Sequence, residues 1–94
     1  MDNFEAIDLL ETAHTFPGPY LFKAIGRTDS DFVVQVVTAV REELEESTDP
    51  PYRLQHTASG RHVSVSLEPI VESVYQVLAI YRRLSRTEGL VTLM

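Results

Sequence analysis

Apolar residues dominate Tyr20-Leu21-Phe22-Lys23-Ala24-Ile25, and only Lys23 interrupts them. Alternation sends Tyr20, Phe22 and Ala24 to one side and Leu21, Lys23 and Ile25 to the other. Bulky residues on both sides predict a central strand at about 19–26. Phe16-Pro17-Gly18-Pro19 leads into it, and Gly26 is read as the point where the backbone turns out of the sheet. Gly26 to Ser30 is then a loop, with Asp29 or Ser30 placed to cap a helix. That helix, about 30–46, carries Val33, Val36, Val37, Val40 and Leu44 as a core-facing stripe at helical spacing. Four carboxylates in Glu42-Glu43-Leu44-Glu45-Glu46 suit its negative end poorly and predict fraying. Ser47-Thr48-Asp49-Pro50-Pro51 breaks the chain before the next element.

Tyr52–Ala58 and Arg61–Leu67 alternate as two strands of a hairpin, joined by Ser59-Gly60 as a two-residue turn. The implied register pairs Ala58 with Arg61, Thr57 with His62 and His56 with Val63. One face then collects Tyr52, Leu54, His56, Ala58, Val63, Val65 and Leu67. The other collects Arg53, Gln55, Thr57, His62, Ser64 and Ser66, a clean separation that supports the pairing. Glu68-Pro69 opens a last helix with proline at its first position. Its stripe is Ile70, Val71, Val74, Tyr75, Val77, Leu78, Tyr81 and Leu84, and Arg82, Arg83 and Arg86 suit its negative end. Gly89 stops it, and Leu90 to Met94 form a final strand. Upstream, Phe4, Ile7 and Leu10 recur among Asp2, Glu5, Asp8 and Glu11, predicting a short amphipathic helix over 3–14 that must dock to be stable.

The order is a helix followed by β-α-β-β-α-β. The simplest closed solution is an α+β, ferredoxin-like two-layer sandwich with a four-stranded antiparallel sheet and an extra N-terminal helix. Residues 1–15 form the extension and 16–94 the single domain. The first and third strands are central, and the helices cover one face. Leu21, Lys23, Ile25, Arg53, Gln55, Thr57, His62, Ser64, Ser66 and Thr92 are left on an open face.

Composition narrows the chemistry. A chain of 94 residues with 44% hydrophobic and 23% charged residues is of globular type and buries roughly 60–70% of its unfolded surface. The absence of cysteine excludes disulfides and thiol catalysis. No stretch approaches a membrane span, the N-terminus is acidic where a signal peptide would be basic, and a cytoplasmic location is expected. The net charge of −6 opposes binding to nucleic acid or anionic lipid, and the open face has no aromatic platform for RNA bases. His56 and His62 face opposite sides, so no metal or cofactor is expected. A triad of Ser64, His62 and Asp29 is rejected on the ground that neighbouring strand positions do not share a face. No phosphate loop exists, and an enzyme is not expected.

Phe16-Pro-x-Pro-Tyr20-x-Phe22-Lys23-x-Ile25-Gly26, followed by Gly60-x-x-x-Ser64-Val65-Ser66, resembles the small bacterial YbeD-like proteins of unknown function. The resemblance covers about 14–94. It implies a ferredoxin-like fold similar to the ACT regulatory domain, with effector binding near Gly26 and the 27–30 loop, and a link to lipoate metabolism. The N-terminal helix and the longer acidic, Pro-Pro linker at 42–51 depart from the shorter members.

Lys23 stands out as a lone cation on an apolar central strand, with Arg53 and His62 near it and Ser64 on the same face. The candidate ligand- or partner-binding residues are therefore Lys23, Gly26, Arg53, His62 and Ser64. The expected function is a non-catalytic regulatory or protein-interaction module acting through its open face or an edge strand, as a homodimer or with a protein partner. The alternative is a small-metabolite sensor that responds to an effector.

Overall fold

The computed structural model describes residues 3–94, with side chains from residue 5 onward, so Asp2 and the side chain of Phe4 lie outside the described residues. The elements are α1 (Asn3–Ala13), β1 (Phe22–Arg27), α2 (Phe32–Glu43), β2 (Tyr52–His56), β3 (His62–Leu67), α3 (Val74–Leu84) and β4 (Leu90–Leu93). The sheet is antiparallel in the order β2-β3-β1-β4, the arrangement expected of a ferredoxin-like sandwich. Phe22 and Ala24 from β1 and Val63, Val65 and Leu67 from β3 are buried against Phe32, Val36 and Val40 of α2 and Val77, Ile80 and Leu84 of α3. Each such apolar side chain contributes about 1.5–3 kcal/mol relative to exposure. α1 packs against α3 and brings Leu10 to the core.

Several local expectations are corrected. β1 begins at Phe22, because Pro17 and Pro19 lack the N–H that a ladder requires. Gly18–Pro19 instead pairs with Ile70–Val71 as a separate bridge, and the Tyr20 N–H donates to the Pro69 carbonyl at 3.0 Å. Gly26 does not turn the chain: it stays within β1, buried, where any Cβ would collide with the Phe32 ring. Neither Asp29 nor Ser30 caps α2. A 3-10 turn at Thr28–Ser30 precedes it, and Asp31 takes the cap position at φ 54° without a side-chain bond. The Ser30 hydroxyl instead donates to the Glu88 carbonyl at 3.3 Å, tying this turn to the approach of β4.

α2 ends at Glu43, before the acidic run is complete, and Glu45 at φ 57° turns the chain away. The hairpin keeps the predicted register, from Tyr52 opposite Leu67 to His56 opposite Val63. Its loop is wider than two residues: Thr57 pairs with His62, and Gly60 at φ 75° donates back to Thr57 at 2.9 Å. α3 starts at Val74 with Ser73 as its cap, the Ser73 side chain accepting from the Gln76 N–H. Pro69 therefore precedes the helix, Ile80 joins its core stripe, and Ile70 and Tyr75 are exposed. α3 ends at Leu84, and Gly89 at φ 86° serves the turn into β4.

The largest departure concerns β2. Tyr52, Leu54 and His56 share the helix-side face with Val63, Val65 and Leu67, as predicted, yet all five β2 residues are exposed. The helices pack over β1 and β3 and do not reach the edge strand, leaving Tyr52 45% and Leu54 44% exposed.

Gly26→Ala should drive a methyl group into the Phe32 ring and destabilise the fold by about 1–3 kcal/mol. Urea unfolding checks this, and an unchanged midpoint would show that α2 can shift at no cost.

Candidate functional site

The pairing of β1, β2 and β3 places side chains of the open face in rows across the sheet. Ser66 lies opposite Lys23 on one side and opposite Arg53 on the other. The next row holds Thr92, Ile25, Ser64 and Gln55. With strands about 4.8 Å apart, Lys23 and Arg53 start about 10 Å from each other, within reach of one shared anion above Ser66. A hollow of about 550 Å³ forms there, lined by Leu21, Lys23, Pro51, Arg53, Ser66 and Glu68 among others. Ser64 lines it too.

Three predicted site residues, Lys23, Arg53 and Ser64, are thus brought together. His62 shares the face but sits two residues further along β3, opposite Arg27, outside the hollow. Gly26 does not belong to this face, because its open side lies under Phe32 in the core. Ser66, Glu68 and Pro51 were not singled out as site residues. Ser66 was legible from the register alone, whereas Pro51 and Glu68 lie just outside the strands and gave no periodic signal.

Electrostatics distinguish this face from the rest of the chain. Among the described residues no aspartate or glutamate lies in a strand of the four-stranded sheet, which holds Lys23, Arg27 and Arg53. Arg27 pairs with Asp29 at 3.5 Å. The side chains of Lys23 and Arg53 make no hydrogen bond or ion pair among the described residues. Glu68 at the rim is the one carboxylate lining the hollow.

The other candidate groups stay dispersed. His14 packs in a tilted arrangement against Tyr20, ring centroids 4.8 Å apart, His56 is on the helix side of the edge strand, and His62 is on the open face. Among the described residues no three histidines or carboxylates converge as metal ligands. His62 and Ser64, two apart along β3, do share a face, so the ground given against a triad was mistaken. What separates the trio is that Asp29 is engaged with Arg27 and that no hydrogen bond joins His62 to Ser64.

Arg82 and Arg83 lie in the last turn of α3, as expected, Arg86 lies beyond it, and Arg83 has a further task. Arg83 reaches across to α2, pairing with Glu42 and, at 3.7 Å, with Glu43. The hydrogen bond from Arg83, reinforced by its charge, holds the Glu42 carboxyl below its ordinary 4.5. A lowered folded-state value contributes stability above the unfolded value, and that contribution is lost as pH falls through the folded one. Both groups are exposed, so solvent screens the pair. Arg83→Met should accordingly lower the thermal midpoint slightly at pH 7, and the difference from the parent should vanish in acid below the carboxylate range. A gap that persists there would assign the loss to packing.

The sequence profile of the family described as protein of unknown function DUF493 matches residues 11–94. A UPF0250 protein of Pasteurella multocida is 33% identical over 82 residues, covering 87% of this chain and 86% of the relative. A UPF0250 protein of Haemophilus ducreyi is 32% identical over 82 residues, covering 87% and 78%. The chain belongs to this bacterial family of unknown function, in keeping with the YbeD-like resemblance of its strand motifs.

Proposed function

We propose that this member of the DUF493 family is a non-catalytic interaction module whose open sheet face binds an acidic segment of a protein partner. The observation that carries the reading is the pair of unpartnered cations, Lys23 and Arg53, flanking Ser66 in an acid-free sheet of an otherwise acidic chain. Ammonium and guanidinium groups that lack an internal counterion gain most from an external carboxylate. Exposed Leu21 extends the face with apolar contact surface beside the charged row.

A second reading, an ACT-like sensor of a small carboxylic acid of the lipoate or amino-acid type, is favoured by the size of the hollow. Its volume of about 550 Å³ falls in the range of small-molecule sites.

The two readings separate in one set of measurements. Short peptides rich in glutamate and leucine, titrated into the labelled chain, should shift the amide resonances of Lys23, Ser64 and Ser66, and glutamine counterparts should not. Lys23→Ala and Arg53→Ala should each weaken binding about tenfold, or 1.4 kcal/mol. Equal binding of the glutamine peptides would overturn the reading. A small acid at a hundred times its dissociation constant should instead stabilise the chain by about 2.7 kcal/mol if the sensor reading holds.

A further inference from the structure

The geometry points to a homodimer formed edge to edge through β2, in which Tyr52 of each copy fills a hollow beside His56 of the other. The inference does not depend on what binds the open face.

The Thr57 N–H donates to the His62 carbonyl at 3.0 Å, which fixes Thr57 and His62 as a hydrogen-bonded pair. Antiparallel ladders alternate, so Arg53 and Gln55 also point inward and bond to Ser66 and Ser64. The N–H and C=O groups of Tyr52, Leu54 and His56 then point outward, along an edge that no described element covers. Natural edges are usually blunted by a proline, a bulge or an inward-pointing charge. β2 has neither proline nor bulge within Tyr52–His56, its one lysine or arginine, Arg53, has its side chain on the open face, and it displays Tyr52 and Leu54 on its helix side.

The sequence of the edge selects a second copy and one register. Antiparallel self-pairing centred on Leu54 sets Leu54 against Leu54, Tyr52 against His56 and Arg53 against Gln55, using every residue of the strand. A shift that centres on Arg53 opposes two arginines, a repulsive pair. Centring on Gln55 leaves Tyr52 without an opposite residue. In the Leu54-centred register the Tyr52 ring of one copy lies over His56 of the other. There a hollow of about 210 Å³ is lined by Thr28, Asp31, Phe32, Val33, His56 and Val63. The unfilled apolar surface beside the edge and the ring that the edge strand leaves exposed are thus complementary. Pairing joins the two sheets into one of eight strands, with both open faces on the same side. Two five-residue edge strands make a contact at the small end of specific interfaces, so dissociation on the order of 1–100 µM is expected.

Sedimentation equilibrium across that concentration range should show a reversible monomer–dimer equilibrium for the intact chain. Leu54→Lys, which sets two ammonium groups against each other on an exposed position, should remain folded by circular dichroism and be monomeric throughout. An equimolar mixture of Leu54→Lys and Leu54→Glu should recover the dimer. Because the chain has no cysteine, register can be read directly. Arg53→Cys mixed with Gln55→Cys should form a disulfide-linked dimer on mild oxidation, whereas Arg53→Cys alone should not. A monomeric parent chain would overturn the proposal, as would a dimer that survives Leu54→Lys or that crosslinks equally through Arg53→Cys alone. Tyr52→Ala separates the hollow from the ladder: it should weaken association at least tenfold, and an unchanged constant would remove Tyr52 from the interface.

Discussion

The missing side chain at Gly26 is the condition on which the layering of this protein rests. Phe32, the first residue of α2, lies on the spot where a Cβ of Gly26 would stand. That approach seats α2 directly on β1, and the valines that follow at helical spacing are carried onto β3. With α2 so placed, α3 closes the remaining half of the same face, and Arg83 links the two helices at their solvent side. Over β1 and β3, that face of the sheet is therefore committed to packing. The other is left with polar and cationic side chains that have no internal use.

The same placement explains the bare edge. Two helices centred over β1 and β3 cover about the width of those two strands, and β2 projects beyond them. Its alternating pattern is that of a strand with a buried face, and by sequence alone Tyr52 and Leu54 are indistinguishable from Val63 and Val65. Only the position of the helices separates them. An apolar face that its own chain does not cover is a place where another molecule can complete the core.

Periodicity made the architecture legible. The alternation about Lys23, the hairpin register and the valine stripe of α2 specified the sheet order and the layer contacts. What periodicity does not encode is how chain ends and glycines are used. Gly26 looked like a turn because glycine permits turns, whereas its actual service is close approach, which depends on a residue six positions later. The start of α3 was misplaced because Pro69 is compatible with a first helical turn, but the bridge between Gly18–Pro19 and Ile70–Val71 claims that segment first. The candidate site followed the same division. Lys23, Arg53 and Ser64 converged because strand register is readable, and Gly26 did not because its assignment came from a resemblance of folds.

The separation of charge between the layers has a consequence for encounters in solution. With Lys23, Arg27 and Arg53 in the strands, no described aspartate or glutamate beside them there, and Arg41, Arg82 and Arg83 outnumbered by the carboxylates of the helices and loops, the molecule has an electric dipole with a component across the thickness of its sandwich. The thinnest dimension of the chain is 19 Å, about twice the screening length in 0.1 M salt. At that ratio a neighbouring charged body close to the sheet senses the cationic face before the acidic background behind it. A molecule repelled at long range by an overall negative charge can thus be turned, over the last few ångströms, to meet this protein sheet first.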